Sequence, residues 1–173
     1  PEKPDYIDAK GIQLVRRDNA PFVKDISKKV LHKIMYDMDI DGAMEMVKMI
    51  AKNLLYNKIP IKDLIVSKSM KDNYKNRNQP HLAVADKIEK RNPGSGPKSG
   101  ERVPYIFVNT GDSKHKQFEK AEDPDYVIQH NMPIDVMYYL EHSLSSPLKS
   151  LFEVFVENPE RILFDELLHE YET

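Results

Sequence analysis

Apolar residues recur at helical spacing in the first third of the chain and predict two amphipathic helices. The first spans residues 21–37, with Asn19 as its cap and Pro21 as its opening residue. Asp41 is predicted to cap the second helix, whose apolar stripe ends near Asn57. The tight turn between the stripes predicts that the two helices run antiparallel.

The middle third loses this spacing and shows short β-branched runs. "LIVS" (64–67) and "VPYIFV" (103–108) are typical of strands, and a helix-like segment begins at His81 between them. Pro104 suits an edge strand or the first residue of a strand, because proline has no N–H to donate. The pattern therefore predicts a small mixed α/β insertion.

The last third returns to helical spacing. Pro124 starts a short helical turn, and residues 133–157 have the length and periodicity of a long helix interrupted at Pro147. One more helix begins at Pro159 and carries acidic residues throughout.

Together these elements predict a mostly α fold with a small α+β insertion. The chain has 173 residues, which is enough for one domain or two small subdomains with a buried core. The helical base is predicted to contain residues 21–60 and 124–173, and the α+β tip about 61–123.

Charge is distributed unevenly, although the formal net charge is only −2. Residues 61–120 contain 13 Lys and Arg against 7 Asp and Glu, whereas residues 121–173 contain 2 against 12. A cationic middle predicts a polyanionic partner, and the acidic last third predicts a surface for water or protein. The alternative is that the lysine-rich stretch is only a solvated surface.

One part of the cationic middle concentrates charge around a Pro/Gly/Ser segment. We call it the basic elbow and define it as residues 87–102. "GSGPKSG" (94–100) within it predicts a flexible hinge, because it lacks the GK[ST] ending of a phosphate-binding loop. The cations of the elbow are Lys87, Lys90, Arg91, Lys98 and Arg102.

Several classes of site are excluded by composition and spacing. The chain has no cysteine and hence no disulfide, Cys-based zinc site or thiol nucleophile. No apolar run reaches the ~18 residues of a membrane span, and the polar start carries no cleavable signal. A soluble, intracellular protein without a membrane partner is expected, and its Pro- and charge-rich start without Met predicts a piece of a longer chain.

Metal and catalytic motifs are incomplete. "DMDIDG" (37–42) matches the first half of a calcium loop, but Lys48 stands at the twelfth position, where a bidentate Glu is needed. The six histidines never stand four residues apart, as two ligands on one helix face would. No catalytic residue, metal site or cofactor is predicted in this chain.

Three long strings stand out in order along the chain. They are "DAKGIQLVRRDNAPFVK" (8–24), "LIVSKSM…YKNRNQPHLAVADKIEKRNPGSGPKSGERVPYI" (64–106) and "AEDPDYVIQHNMPIDVMYYLEHSLSSPL" (121–148). Together they resemble the thumb region of a B-family DNA polymerase, most closely the eukaryotic delta-type catalytic subunit and its large-DNA-virus relatives. The resemblance implies a thumb-like helical domain at 21–173 behind a palm-to-thumb connector at 1–20.

The resemblance implies a duplex-binding role rather than an independent enzyme. A thumb grips the primer–template duplex behind the active site and contacts phosphates and the minor groove without reading sequence. The palm's DTD signature and its KKRY element do not occur in this chain. Two-metal nucleotidyl transfer needs carboxylates that hold the cations, so the chain alone is expected to be inactive, while the parent polymerase uses Mg²⁺. The implied partners are the palm, fingers and exonuclease domains and a sliding clamp, in the nucleus or a cytoplasmic viral factory.

Nine residues are predicted to contact DNA. The elbow contributes its cations, because each Lys or Arg that neutralises a phosphate releases a counterion, and the next strand adds an amphipathic tyrosine. The family pattern adds one lysine, one glutamine and one histidine. The predicted DNA-binding residues are Lys68, Gln79, His81, Lys87, Lys90, Arg91, Lys98, Arg102 and Tyr105.

A palm–thumb hinge is implied by the first string. Its residues are Lys10, Gly11, Arg16, Arg17 and Asp18. A structural ion-pair role is preferred over direct DNA contact for the last three. Helix capping and core packing are likewise the preferred roles for Asp135, Tyr138 and Tyr139.

Two other functions compete with the duplex-binding thumb. One is a subunit of a split polymerase, active only with a second chain that carries palm and fingers. The other is a non-catalytic adaptor that keeps the thumb fold and binds proteins through its acidic helices. Duplex binding without nucleotide incorporation supports the thumb, incorporation on adding a partner supports the split polymerase, and a chain that does neither favours the adaptor.

Overall fold

The computed structural model describes residues 19–173, which fall into two compact units. The helical unit contains residues 19–59 and 137–173, and the sheet unit contains residues 60–136. The predicted hinge residues lie outside the described part of the chain; they are Lys10, Gly11, Arg16, Arg17 and Asp18.

Two packed helices open the helical unit. Helix α1 spans Pro21–Met35 and α2 spans Ile40–Leu55, and each buries one apolar face. The predicted caps are wrong by one or two residues. Ala20 occupies the cap of α1 without a side-chain bond, and Asp39 caps α2 by accepting the Gly42 N–H at 2.8 Å. Asp39 fits this position because its backbone is not helical, so its carboxylate can turn back to the first turn.

The predicted long helix is present but is not interrupted by proline. A helical run comprises α5 (Val136–Tyr138), a π-helical segment (Tyr139–Leu144) and α6 (Ser145–Phe152). Pro147 lies inside α6, where it removes one backbone donor and crowds the carbonyl four residues earlier. The wider π turns directly before α6 accommodate this crowding, so the helix continues to Phe152 and ends before the predicted residue 157.

The chain closes with a second helical run. It begins at Pro159, as predicted, passes through a π-helical segment at Arg161–Asp165 and ends in α7 (Glu166–Glu172). Its buried residues join those of α2 and α6 in the core of the helical unit; they include Leu54, Leu55, Leu144, Leu148, Phe152 and Leu163.

A three-stranded antiparallel sheet defines the other unit. The strands β1 (Val66–Ser69), β2 (Arg102–Phe107) and β3 (Ala121–Glu122) lie in that order, and helix α3 (Pro80–Arg91) packs on β2 and β3. Because β3 pairs only with the end of β2, the start of β2 has a partner on one side alone among the described residues. Pro104 lies in this half-edge and is therefore tolerated in the central strand.

The sheet unit extends further along the chain than the predicted tip. Helix α4 (Pro124–His130) contacts β2, and Ile134 forms a bridge with Val108. The Asp135 N–H also donates to the Phe107 carbonyl at 3.1 Å. Residues 124–136, which the periodicity assigned to the helical base, therefore belong to the sheet unit.

The predicted fold class is confirmed, since helices dominate and the sheet is small. Two short 3₁₀ turns, Ile61–Asp63 and Gln117–Lys120, complete the sheet unit. Among residues 19–173, none of the helices combines the length and the apolar character that crossing a bilayer requires.

Candidate nucleic-acid interface

The basic elbow is a defined loop between α3 and β2. Gly94 and Gly100 adopt positive φ angles of 91° and 86°, which few other residues tolerate. The Gly100 N–H donates to the Met70 carbonyl at 2.9 Å, and this bond ties the far end of the loop to β1. The loop is therefore anchored, in contrast to the flexible hinge that its composition predicts.

Two carboxylates hold the backbone of this loop. Glu89 accepts the N–H groups of Gly94 and Gly96, each at 2.8 Å, and Glu101 accepts the N–H of Lys98 at 2.9 Å. The two backbone bonds favour the charged carboxylate and lower the pKa of Glu89. These two carboxylates accept backbone N–H groups, and neither forms an ion pair with Lys90 or Lys98.

Two cations of the elbow are engaged by a buried acid. Lys87 donates to the carbonyls of Glu119 and Ala121, at 2.8 and 2.6 Å, and its Nζ lies 3.3 Å from Glu122 Oε2. Arg91 donates to the other oxygen of Glu122. Glu122 is only 1% exposed, so its charge is balanced almost entirely by these two side chains.

Arg91 also makes an aromatic contact. Its guanidinium carbon lies 3.4 Å from the centroid of the Tyr126 ring, which is a cation–π geometry. The cluster of Lys87, Arg91, Glu122 and Tyr126 thus joins α3 to β3 and α4. We call it the buried ion cluster; it uses internally two of the charges that the sequence assigns to DNA.

Arg102 is exposed but held in place across the sheet. Its guanidinium donates to the Ser67 hydroxyl at 3.0 Å, the Ser67 carbonyl at 2.9 Å and the Ser69 hydroxyl at 3.2 Å. Ser69 is its register partner on β1. Among residues 19–173 no acid pairs with Arg102, and these serines set the orientation of its guanidinium.

Between residues 66 and 102, five lysines make no ion pair or side-chain hydrogen bond within the described residues. They lie on β1, in the segment that follows it, and in the elbow, and each is exposed or half-buried. The five are Lys68, Lys71, Lys75, Lys90 and Lys98. Lysine heads that are not bonded within the protein are available to bind an external anion.

Three further predicted residues lie inside the unit or support its backbone. His81 is 2% exposed, and its Nε2 lies 3.1 Å from the Tyr74 hydroxyl. Burial, followed by the nearby charges of Lys68 and Lys71, lowers the pKa of His81. Tyr105 is 5% exposed and packs edge-on against Phe107.

Gln79 is the cap residue of α3, and its amide nitrogen donates to the Asn76 carbonyl at 2.8 Å. The predicted DNA contacts thus separate into exposed cations, internally engaged cations and residues that build the unit. No observation tests the contacts themselves, and they stay predictions.

Tyr139, for which core packing is the preferred role, is buried in the helical unit and packs edge-on against Phe22.

Glu89 and Glu122 are the structural residues that the sequence analysis missed. Glu89 carries a local signal, since it lies only five and seven residues before the two glycines whose N–H groups it accepts. Glu122 carries none, because its partners on α3 lie 31 and 35 residues earlier in the chain.

Residues 19–173 contain no group of three or more His, Asp or Glu side chains placed to hold a metal ion. In the segment that resembles half a calcium loop, Asp39 caps α2 and its carboxylate lies 3.6 Å from Lys33 Nζ. Asp37 lies 3.8 Å from the same Lys33 Nζ.

Comparison with known proteins gives consistent matches. Residues 1–155 match the sequence profile of the family described as DNA polymerase family B. The chain is 41% identical over 164 residues to the DNA polymerase delta catalytic subunit of Drosophila melanogaster, covering 94% of this chain and 15% of that protein. It is 39% identical over 172 residues to the same subunit of Oryza sativa subsp. japonica, covering 98% of this chain and 15% of that protein.

A solved structure shows the same architecture. The family B DNA polymerase from the hyperthermophilic archaeon Pyrobaculum calidifontis matches with a TM-score of 0.66 and 25% identity. The match covers 80% of this chain and 18% of that one. This chain therefore spans less than a fifth of the length of these relatives.

Proposed function

The chain belongs to DNA polymerase family B, and on that basis we propose that it is the thumb region, which grips the primer–template duplex behind the active site. The observation that carries this proposal is the set of five lysines between residues 66 and 102 that pair with no acid among residues 19–173. A duplex presents closely spaced phosphates, and each lysine that neutralises one releases a counterion. Such contacts supply affinity and register without reading bases, which suits a polymerase that must copy any sequence.

In this proposal fewer residues of the elbow contact phosphate than the sequence analysis predicts. Lys90 and Lys98 of the elbow supply unpaired charge, and Arg102 supplies a charge oriented by serines. The buried ion cluster supports the surface from behind by fixing α3 on the sheet. In this proposal Lys87 and Arg91 stabilise the unit and do not contact phosphate.

The chemistry of nucleotide incorporation is assigned to other regions of the complete enzyme. Two-metal transfer requires several carboxylates around the cations, and the described residues contain no such group. We therefore propose that palm and fingers hold Mg²⁺ and that this region holds the duplex beside them. A sliding clamp is a further proposed partner through the complete enzyme, and the nucleus is the proposed location.

The test measures binding of the 173-residue chain to fluorescent duplexes of two unrelated sequences by anisotropy, across a range of salt concentrations. Non-specific binding with a Kd at the weak end of ~10⁻⁴–10⁻⁶ M is expected for both sequences. Contact with three or four phosphates gives a log–log salt slope of about −3 to −4. Replacing Lys90 and Lys98 together by Ala should flatten the slope by about 1.8, since each phosphate contributes about 0.9.

The matched control removes the same charge from the helical unit. Lys28 and Lys58 are exposed lysines of that unit without ion pairs among the described residues, so K28A/K58A should keep the parent slope. Equal slopes for both double variants would refute the assignment of the grip to the elbow. An absence of duplex binding at low salt would favour the adaptor function instead.

A further inference from the structure

We infer that Glu89 is the positioning residue of the basic elbow: its carboxylate holds the Pro/Gly loop in the shape that places Lys90 and Lys98 for duplex binding. This inference rests on the proposed function. It assigns a role to an acid that simple electrostatics would count against DNA binding.

The first observation is the geometry of the carboxylate. Each oxygen of Glu89 accepts one backbone N–H, from Gly94 and from Gly96, at 2.8 Å in both cases. Glu89 lies in the last turn of α3, a helix that packs on β2 and β3 and buries Leu82 and Val84. The loop is therefore tied to a rigid helix by two charge-assisted hydrogen bonds.

The second observation explains the glycine at position 96. Its φ lies outside the positive range, so its backbone conformation does not require glycine. A Cβ at this position would lie 2.5 Å from Glu89 Oε2 and 3.1 Å from Glu89 Cβ. A side chain at position 96 would therefore push the Glu89 carboxylate out of its place, and glycine leaves room for it.

The third observation is that Lys98 lies between two anchors. On one side, Gly96 is held by Glu89. On the other side, Gly100 donates to Met70, and the Lys98 N–H donates to Glu101. Fixing both ends of this short segment limits where the Lys98 side chain can reach, and Lys90 is fixed directly as the chain neighbour of Glu89.

Charge and position make opposite predictions for the removal of Glu89. If only charge matters, loss of an exposed acid beside two lysines reduces repulsion of phosphates and tightens duplex binding. If Glu89 positions the loop, its loss releases the Gly94 and Gly96 amides and weakens binding, although the surface becomes more positive. Whether loss of Glu89 tightens or weakens duplex binding therefore decides between the charge effect and the positioning role.

The experiment compares duplex affinity and salt slope for the 173-residue chain, E89A, E89Q and G96A. We expect E89A to bind about 2- to 5-fold more weakly, which is what one exposed charge contact contributes, with a slope flatter by up to about 0.9. G96A should also weaken duplex binding, although it does not change the charge. E89Q keeps one acceptor oxygen, so its duplex affinity should lie between those of E89A and the parent.

Asp72 is the matched control. It is an exposed acid of the same unit with no ion pair or hydrogen bond among the described residues, so D72A removes the same charge without touching the loop. D72A should bind as tightly as the parent or slightly more tightly. If E89A behaves like D72A while the parent binds, the inference is refuted and the proposed function stands; if the parent itself does not bind, the proposed function fails.

A measurement that does not use DNA also tests whether Glu89 positions the loop. Amide hydrogen exchange of Gly94 and Gly96, followed by NMR, should accelerate in E89A and stay unchanged in D72A. Unchanged exchange in E89A would also overturn the inference, because the amides would then not depend on the carboxylate. A circular-dichroism melt of each variant confirms that the sheet unit is folded.

Discussion

Replacing Glu122 by Ala should destabilise the sheet unit through the two cations that it leaves behind. Glu122 is buried and balances Lys87 and Arg91, which are 32% and 35% exposed at their side chains. Without the carboxylate, both cations remain partly desolvated next to each other and to apolar neighbours. The cost is thus electrostatic and exceeds the loss of a hydrogen bond.

The magnitude follows from the exposure of the three groups. Removing one member of a fully buried ion pair costs about 3–5 kcal/mol. Lys87 keeps its two backbone carbonyls and Arg91 keeps Tyr126, and both reach solvent, so we expect about 2–3 kcal/mol here. At about 2–4 °C per kcal/mol for a chain of this size, the midpoint of thermal unfolding should fall by about 4–12 °C.

The assay is a double-mutant cycle of E122A and R91A, measured by urea unfolding at neutral pH. Because each single variant strands the other partner, the double variant should be less destabilised than the sum, with a coupling of at least about 1 kcal/mol. The matched control is the pair formed by Arg77 and Asp86, 3.4 Å apart and exposed, for which a coupling of about 0.2–1 kcal/mol is expected.

Two results would refute this reasoning. A loss below about 0.5 kcal/mol for E122A would mean that the carboxylate is not the counter-charge of the cluster. A coupling no larger than that of Arg77 and Asp86 would mean that Arg91 and Glu122 act independently.

Three further outcomes are expected. Lys90→Ala should flatten the duplex salt slope by about 0.9, whereas Arg91→Ala should leave it unchanged, since Arg91 is bound to Glu122. Asp39→Ala should lower the free energy of unfolding by about 1 kcal/mol in a urea titration, because α2 loses its cap. Burial lowers the pKa of His81, so its stabilising contribution is present above the unfolded pKa of about 6.5 and is lost as pH falls below it. Unfolding midpoints at several pH values should show this loss, and H81Q should show less of it.

The helices and the fold class could be predicted from the sequence because they depend on neighbours three or four residues apart. Helix α1 lies within two residues of the predicted span, and α3 begins one residue before the predicted start. The strands shifted by one or two residues, since Leu64 at the start of "LIVS" is buried at the end of a 3₁₀ turn instead of joining β1. Strand β3 has two residues and no periodicity at all, so only its pairing with β2 defines it.

The family was also readable from the sequence, since the three long strings extend over most of the chain. The continuation of the long helix through Pro147 could not be read from the sequence. A proline can end a helix, or π turns before it can accommodate its ring, and local spacing does not distinguish these two outcomes. The packed core around Leu144 and Leu148 stabilises the continuous helix.

Tertiary structure alone decided which cations of the elbow are available. Lys87, Lys90 and Arg91 carry the same charge within five positions of one helix, and no local property separates them. Helical rotation and the packing of α3 bring Lys87 and Arg91, four residues apart, to the carboxylate of Glu122, while Lys90 points to solvent. The sequence determines that charge accumulates in this segment; whether a charge is neutralised internally depends on a contact more than 30 residues away, which exists only once the sheet unit has folded.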